Sequence, residues 1–194
     1  LPKREIICGY AEILKHSLIM NKKLFAYLDK NANSILKLKK PSLEKAIFQS
    51  CLIKKQIIEK DENEKNIRKI LNFGHTFAHA FEATNNYSKK LNHGEAVLLG
   101  IICAVNFSHQ NQDIKKNDYN KIVNHYKKLN LPMNIKNYYS IKNIKNILSF
   151  MKKDKKNNNN KINLVLLKKI GTVNYNCQFK ELALYRFFSK ELIN

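Results

Sequence analysis

The sequence predicts a mainly α-helical domain that carries one short β-hairpin near its C-terminal end. Apolar residues recur with a spacing near 3.6 through most of the chain, which is the period of an α-helix with a buried face. Only two short runs, separated by Gly171, have the pattern of strands. Hydrophobic residues make up 44% of the 194 residues, with only 5 glycines and 3 prolines, so the chain can bury a core and is neither disordered nor collagen-like.

The individual elements follow from this periodicity in chain order. Helices are predicted at residues 10–20, 22–38 with a break, 43–60, 64–84, 94–110, 117–128 and 140–152. The strands are predicted at residues 162–170 and 172–179, and residues 180–193 return to a helical pattern. Polar turns near residues 85–86, 111–116 and 157–160 are the expected connections. The chain contains no repeat of fixed period. Its length of 194 residues suits one ordinary domain or a piece of a larger protein.

The basic excess raises the question of a nucleic-acid partner. The chain carries 36 Lys and Arg against 15 Asp and Glu, a formal net charge of +21. Clustered cations of this kind neutralise nucleic-acid phosphates. Here the lysines are scattered over most predicted helices and loops, and only residues 152–161 resemble a basic low-complexity segment. The pattern favours a protein without a nucleic-acid partner, and a basic helical nucleic-acid-binding module is the non-enzyme alternative.

The apolar runs and the cysteines indicate in which cellular compartment the protein is expected. No run of about 18 uncharged apolar residues is present, and the first residues lack the regions of a signal peptide, so neither a membrane-spanning nor a secreted protein is expected. The cysteines form no Cys-x-x-Cys pair and lie among apolar neighbours: Cys8, Cys51, Cys103 and Cys177. They are predicted to be buried free thiols, which is typical of a reducing, cytoplasmic protein.

Residues 61–82 carry the densest set of polar groups. On a regular α-helix one arc of about 80° contains six of them: Glu64, Arg68, Asn72, His75, His79 and Glu82. The flanking positions are mostly apolar, so this polar stripe is expected to face a cavity rather than solvent. Gly74 in the middle of such a helix costs about 1 kcal/mol relative to alanine, which is explained if another group approaches the backbone there.

Two further segments offer candidate ligands. Glu12 and Lys15 lie three residues apart in an otherwise apolar run, where a lone carboxylate is costly to bury; a surface ion pair is the simpler interpretation. His93 precedes a strongly apolar helix and could equally be a capping residue in a loop. For His75 and His79, the alternative is two separately hydrogen-bonded core histidines. Histidine and carboxylate are the common ligands of a catalytic zinc, which takes three protein ligands and keeps one position open.

Four blocks of sequence contain these candidates. They are residues 9–15 (GYAEILK), Lys54 with residues 61–64 (DENE), residues 68–82 (RKILNFGHTFAHAFE) and residues 93–97 (HGEAV). In this order and spacing the blocks resemble 3-dehydroquinate synthase, most strongly over residues 1–108 and more weakly beyond. Ala78 stands where the family usually has glycine, and Asn66 replaces another common glycine, but neither position supplies a ligand.

The resemblance implies a role for each candidate. It implies Zn²⁺ or Co²⁺ bound by Glu12, His75 and His93. It implies substrate binding by Lys15, Lys54, Arg68, Asn72 and Lys155, with Lys156 as an alternative to the last, and proton transfer by Glu64 and His79. The implied reaction converts 3-deoxy-D-arabino-heptulosonate 7-phosphate to 3-dehydroquinate and phosphate in the shikimate pathway of aromatic amino acid biosynthesis, with NAD reduced and reoxidised in each turnover. The substrate's own phosphate is an alternative acceptor for the proton whose loss starts elimination.

The same resemblance bears on domain organisation. It implies that residues 1–194 are the C-terminal metal- and substrate-binding domain, that an N-terminal NAD-binding domain precedes them, and that the enzyme is a homodimer. No glycine-rich nucleotide-binding motif occurs in this sequence, so residues 1–194 alone are expected to bind NAD negligibly and to show no turnover. Another sugar-phosphate cyclase or a metal-dependent alcohol dehydrogenase relative is the second enzyme alternative, but the anion-binding groups Lys54, Arg68 and Asn72 favour the synthase.

Overall fold

The computed structural model describes residues 1–153 and 161–193, which are mainly helical. Its α-helices are α1 (Lys3–Met20), α2 (Lys22–Leu36), α3 (Ser42–Lys60), α4 (His75–Thr84), α5 (His93–Gln110), α6 (Lys116–Leu129), α7 (Ile144–Lys153) and α8 (Glu181–Ile193). A 3₁₀ helix, Ile67–Asn72, precedes α4, and single 3₁₀ turns occupy Ile135–Asn137 and Ile141–Asn143. Strands β1 (Lys161–Lys169) and β2 (Thr172–Lys180) pair antiparallel. The predicted helical fold with a minor hairpin is confirmed.

Helix α5 is the centre of the core, because its sequence is apolar on nearly every face. From Gly94 to Ser108 every residue is buried except Glu95 and Asn106, which are half-buried. A helix of this composition is stable in water only when other elements surround it. Helices α1 and α4 and strand β1 pack directly against it. The first turn of α5 therefore lies near α1 and α4, the two helices that carry the other predicted metal ligands.

Glycines bring α5 into backbone contact with α1 and with the start of α4. A Cβ atom built on Gly100 would lie 2.1 Å from the carbonyl oxygen of Gly74, and one built on Gly94 would lie 2.2 Å from Cα of Cys8. A side chain at either position would force the elements apart. The expectation that another group approaches the backbone at Gly74 is confirmed, and that group is the backbone of α5 at Gly100 and Ile101.

The hairpin is fastened to the helices by backbone donors. The N–H of Leu167 donates to the buried hydroxyl of Ser108 over 2.9 Å, and the N–H of Gly171 donates to the carbonyl oxygen of Leu18 over 2.8 Å. Gly171 has φ +88°, which glycine adopts at the turn without steric cost. The predicted strand pair is thus confirmed, with each strand shifted or extended by one residue.

A buried hydrogen-bonded chain joins three helices. The hydroxyl of Tyr10 on α1 lies 2.8 Å from Nε2 of His125 on α6, and Nδ1 of the same ring lies 2.8 Å from Oδ1 of Asp29 on α2. Tyr10 and His125 are almost fully buried, so each polar atom needs the partner that the chain supplies. These contacts fix the position of α1 two residues before Glu12.

The predicted single helix over residues 64–84 is wrong. The chain forms a turn through residues 62–66, then the 3₁₀ helix Ile67–Asn72, a turn at Phe73 and Gly74, and only then α4. Gly74 has a left-handed φ of +79° and is the N-cap residue of α4. Glu64 also has a positive φ, 55°, which a regular helix excludes. Apolar spacing continues across the break, so periodicity alone does not reveal it.

Other helix boundaries differ less. Helix α1 begins at Lys3 rather than residue 10, and the helix predicted from residue 140 begins at Ile144 after a 3₁₀ turn. The break predicted within residues 22–38 is wrong, because α2 runs without interruption from Lys22 to Leu36, and Leu38, with a positive φ of 57°, lies beyond its end. In the described part of the chain no helix is both long enough and apolar enough to cross a membrane.

The cysteines are free, but most of them are not buried. Cys103 is buried in α5, Cys8 and Cys177 are half-buried, and Cys51 is exposed. The prediction of buried thiols therefore holds only for Cys103. Cys51 has apolar neighbours because it lines an apolar groove at the surface, where α3 faces α1 and the end of α2.

Candidate active site

A polar cleft of about 210 Å³ lies where α1, α3 and the segment 64–75 meet. It is lined by Glu12, Lys15, His16, Lys54, Glu64, Arg68, Leu71, Asn72 and His75. An adjoining groove of about 350 Å³ is larger, but it is mainly apolar and shares only Glu12 with the cleft. The cleft is the candidate site, because it gathers the titratable and hydrogen-bonding groups that chemistry requires.

Glu12 and Lys15 form an ion pair in this cleft. Lys15 Nζ donates to Glu12 Oε2 over 2.8 Å, and the lysine side chain is only 4% exposed, against 41% for the glutamate. The pair is therefore not the surface ion pair considered from the sequence. Burial raises the pKa of Glu12, but the charge and hydrogen bond of Lys15 outweigh burial and leave that pKa below its usual value. Glu12 is consequently an ionised carboxylate at neutral pH.

Within residues 1–153 and 161–193, the other oxygen of Glu12 has no hydrogen-bond partner. Oε1 is buried and lies 3.8 Å from His75 Nε2, beyond hydrogen-bond distance. A buried carboxylate oxygen left without a donor is energetically costly. The arrangement is explained if a cation binds this oxygen.

In both His75 and His93, the ring nitrogen Nδ1 lies next to a hydrogen-bond acceptor. His75 Nδ1 lies 3.3 Å from the carbonyl oxygen of Phe73, and His93 Nδ1 lies 3.0 Å from Glu82 Oε1. Both acceptors place the ring proton on Nδ1, which leaves a lone pair on Nε2 of each imidazole. Histidine ligands of metals are commonly held in this way by a carbonyl or carboxylate on the other nitrogen.

The charge state of His75 also suits a ligand. Burial lowers its pKa to about 3, and the nearby Lys15 ammonium adds to the effect, while Glu12 opposes it. The imidazole is therefore neutral at physiological pH. A metal requires this form, because a protonated ring has no free lone pair.

Glu12, His75 and His93 have the donor chemistry of a divalent-cation site, although their side chains do not surround one point. Among residues 1–153 and 161–193, no three His, Cys, Asp or Glu side chains already lie together as a metal-binding group. The ring centroids of His75 and His93 are 6.0 Å apart. One carboxylate and two imidazoles form the donor set of a catalytic zinc site with an open position. The unpartnered Glu12 Oε1 and the orientation of both rings support this fit.

Asp61 builds the loop that supplies the other wall of the cleft. Its carboxylate accepts backbone N–H groups from Lys65 over 2.9 Å, Asn66 over 2.7 Å and Arg68 over 3.0 Å. Desolvation raises the pKa of Asp61, but these three donors outweigh it and lower the pKa overall. One ionised side chain thus orders residues 61–68, including the strained backbone of Glu64.

Cationic and amide groups line this wall. Asn72 Nδ2 donates to Glu64 Oε1 over 2.7 Å, which fixes both side chains. The Arg68 guanidinium donates through Nη1 to the carbonyl oxygen of Glu62, and its charge stays next to the cleft. Lys54 reaches the same cleft from α3. Together with Lys15 these residues give the cleft the cationic and amide donors that suit an anionic ligand.

Some predicted site residues lie elsewhere. His79 is exposed on α4, and its ring centroid is 5.4 Å from that of His75, but it does not line the cleft. Glu82, the last member of the predicted stripe, instead holds His93. Lys155 and its alternative Lys156 lie outside the described residues.

Sequence reasoning missed His16 and Ser50. His16 is 4% exposed and lines the cleft, and its Nδ1 lies 2.7 Å from Ser50 Oγ on α3. Its Nε2 lies 4.0 Å from Glu12 Oε2. The spacing of Glu12 and His16, four residues on one helix face, was the available signal.

The buried histidines predict that stability falls on acidification. Burial and the nearby Lys15 lower the pKa of His16 to about 4, against about 6.5 in the unfolded chain. Between these values the unfolded state binds more protons, so stability is lost as the pH drops from 7 towards 4. His16 alone is expected to contribute a loss of about 2 kcal/mol between pH 7 and pH 5. Urea unfolding of the metal-free protein at both pH values measures this.

A matched variant isolates the group responsible. His16→Gln removes the titrating ring and is expected to make the loss between pH 7 and pH 5 distinctly smaller. Equal stability at the two pH values in the wild type, or an increase at pH 5, contradicts the prediction.

Comparison with known proteins places the chain in a family. Residues 9–157 match the C-terminal domain family of 3-dehydroquinate synthase. A 3-dehydroquinate synthase from Pelagibacter ubique strain HTCC1062 is 58% identical over 192 residues, which cover 99% of this chain and 52% of that protein. The chain belongs to the 3-dehydroquinate synthase family. The 3-dehydroquinate synthase of Thermodesulfovibrio yellowstonii is 41% identical over 135 residues, or 70% of this chain and 37% of that protein.

The chain spans about half the length of the Pelagibacter ubique synthase. It also spans about half the length of two solved structures with this fold. A 2-epi-5-epi-valiolone synthase from Streptomyces hygroscopicus subsp. jinggangensis 5008, with NAD⁺ and Zn²⁺ bound, has a TM-score of 0.83 at 18% identity, over 98% of this chain and 52% of that one. A 2-deoxy-scyllo-inosose synthase complexed with carbaglucose-6-phosphate, NAD⁺ and Co²⁺ has a TM-score of 0.79 at 22% identity, over 98% of this chain and 53% of that one. At these identities the two structures support the fold alone.

Proposed function

We propose that the protein containing this chain is a 3-dehydroquinate synthase, which converts 3-deoxy-D-arabino-heptulosonate 7-phosphate to 3-dehydroquinate and phosphate. One observation carries the proposal. Groups from three separate family blocks, Glu12, Lys54 and the segment 64–75, line one polar cleft. Membership of the synthase family favours this reaction over those of other sugar-phosphate cyclases or dehydrogenases, and over a nucleic-acid-binding role.

The metal site in this proposal consists of Glu12 Oε1, His75 Nε2 and His93 Nε2. The donor set suits Zn²⁺, and Co²⁺ is an alternative with the same preference for nitrogen and oxygen ligands. When bound, the cation supplies Lewis acidity towards the substrate's hydroxyl groups. Phe73 and Glu82 hold the two rings so that their lone pairs stay available.

The cationic wall binds the substrate's anionic groups. The substrate carries a phosphate and a carboxylate, and both require fixed positive charges. Arg68 offers a planar fork of donors, while Lys54 and Lys15 act as compact charges. Asn72 hydrogen-bonds hydroxyl or phosphate oxygens, and its contact with Glu64 sets the direction in which its amide points.

Proton transfer is assigned to Glu64 and His79 on the strength of the family resemblance. Glu64 lies in the cleft and is held by Asn72 over 2.7 Å, so its carboxylate can accept a proton from a substrate bound there. His79 lies outside the cleft lining and next to His75, where it can serve as an exposed proton donor or acceptor. The substrate's own phosphate remains an alternative proton acceptor for the elimination step.

The proposed enzyme also contains parts beyond this chain. NAD is bound mainly by an N-terminal domain, and residues 1–194 form the metal- and substrate-binding domain. The enzyme is a cytoplasmic homodimer of the shikimate pathway. The family resemblance supports these assignments.

Removing the Arg68 charge tests the substrate site. Arg68→Met in the full-length protein is expected to lower kcat/KM for the phosphorylated substrate by roughly 10- to 100-fold, because a charge-assisted hydrogen bond contributes about 1.5 to 3 kcal/mol. Lys69→Met is the matched control, since Lys69 lies on the same 3₁₀ helix but does not line the cleft. Phosphate release with saturating NAD measures both variants. Equal activity of the two variants contradicts the role of Arg68.

A further inference from the structure

Among the described residues, two histidines line the cleft, His16 and His75. The family resemblance gives a role to His75 but none to His16. Its ring lies between α1 and α3 and is almost fully buried. Nδ1 contacts Ser50 Oγ over 2.7 Å, and Nε2 faces Glu12 Oε2 at 4.0 Å. The imidazole thus stands between a hydroxyl group on one side and the proposed metal ligand on the other.

Proton positions follow from the chemistry of these partners. An ionised carboxylate accepts hydrogen bonds and donates none, so the ring nitrogen facing Glu12 is favoured as the N–H. In a neutral imidazole the other nitrogen is then an acceptor, and Ser50 must donate its hydroxyl proton to Nδ1. This gives a directed chain, Ser50 O–H to His16 Nδ1 and His16 Nε2–H towards Glu12 Oε2.

An N–H group near Glu12 Oε2 matters because the two carboxylate oxygens of Glu12 differ in their contacts. Oε1 has no hydrogen-bond partner and is the proposed ligand atom, while Oε2 accepts from Lys15 over 2.8 Å. A single donor leaves the carboxylate free to rotate about its bond to the side chain. Lys15 and His16, three and four residues further along α1, approach Oε2 from one helix face. Lys15 holds this oxygen by a hydrogen bond of 2.8 Å, and the His16 ring nitrogen lies at 4.0 Å, where its N–H attracts the carboxylate electrostatically without a direct hydrogen bond.

We infer that His16, oriented by Ser50, is a positioning residue that presents Nε2–H to Glu12 Oε2 and thereby directs Glu12 Oε1 towards the metal. The inference rests on the proposed function, because it assumes that Glu12 is a metal ligand. Partners of this kind, one step removed from the metal, typically change metal affinity by 10- to 100-fold when they are removed.

Two substitutions separate the two nitrogens of the ring. Glutamine places its amide near the position of Nε2, whereas asparagine reaches only that of Nδ1. In the full-length protein, His16→Gln is expected to keep the Zn²⁺ dissociation constant within about threefold of the wild type, and His16→Asn to weaken binding about 10- to 100-fold. Competition with a chromophoric chelator measures the dissociation constants, and circular dichroism with thermal unfolding shows that both variants are folded. A purely structural role for the ring does not predict this difference.

The wild type provides a second test that needs no variant. Long-range ¹H–¹⁵N NMR of the metal-free protein reports which nitrogen of His16 carries the proton, and the inference requires Nε2. A proton on Nδ1 overturns it, as does unchanged zinc affinity in His16→Asn or a greater loss in His16→Gln than in His16→Asn.

The failure of this inference is distinguishable from that of the proposed function. Zinc binding that survives Glu12→Ala removes the ligand assignment itself. Zinc binding that is lost in Glu12→Ala but unchanged in His16→Asn removes only the role of His16.

Discussion

His75→Ala is expected to weaken zinc binding by more than about 100-fold and to abolish synthase activity in the full-length protein. This loss of affinity is larger than the 10- to 100-fold loss expected when a residue that only hydrogen-bonds to a ligand is removed, because His75→Ala removes a ligand itself. His75 is the middle member of the site: its Nε2 lies 3.8 Å from Glu12 Oε1, and its ring centroid is 6.0 Å from that of His93. Metal content by atomic emission and affinity by chelator competition measure the loss.

His79→Ala is the matched control for this substitution. His79 lies one helical turn further along α4, with its ring centroid 5.4 Å from that of His75, but it is exposed and does not line the cleft. It is expected to keep zinc and to lose turnover, since its proposed role is proton transfer. Zinc affinity that is equal in the wild type and in His75→Ala would contradict the metal assignment.

Gly100→Ala is expected to lower the free energy of unfolding by about 3 kcal/mol or more. The added Cβ would meet the carbonyl oxygen of Gly74 at 2.1 Å and the backbone nitrogen of Ala78 at 3.0 Å. Both neighbours are backbone atoms at the start of α4, so neither can rotate away, and overpacking in a core typically costs 1 to 3 kcal/mol or more. Urea unfolding measures the change.

Gly9→Ala is the control for helix propensity. Gly9 lies in α1, and no atom of the described residues comes within 4 Å of a Cβ built on it, so alanine there is expected to be neutral or to stabilise the protein by up to about 1 kcal/mol. Because Gly100 holds α5 against the turn that precedes His75, Gly100→Ala is also expected to weaken zinc binding. Unchanged stability in Gly100→Ala contradicts the close helix contact.

The helices and the hairpin could be predicted from the sequence because their signals are local. Periodic apolar residues define α2, α3, α5 and α6 to within one or two residues, and Gly171 marks the hairpin turn. The segment 64–74 could not be predicted in the same way. Its shape depends on three backbone groups that converge on Asp61 and on the close approach of Gly74 to α5, and both are contacts between residues that no local pattern records.

The candidate site was partly predictable for a related reason. The helical arc is wrong in detail, yet Glu64, Arg68, Asn72 and His75 still line the cleft, because Asp61 orders the loop that leads into it and Asn72 holds Glu64 by a hydrogen bond. The arc fails beyond His75, because neither His79 nor Glu82 lines the cleft. The role of His16 could not be predicted without the position of α3, because its contact with Ser50 on that helix is what distinguishes it from an ordinary buried histidine.

The central claim is that one carboxylate and two imidazoles hold a single divalent cation. Anomalous diffraction at the zinc absorption edge, from crystals of the full-length protein grown with Zn²⁺, tests it most directly. The predicted result is one peak bound by Glu12 Oε1, His75 Nε2 and His93 Nε2 at about 2.0 to 2.2 Å. A zinc peak bound by other side chains, with these three atoms beyond bonding distance of it, contradicts the claim.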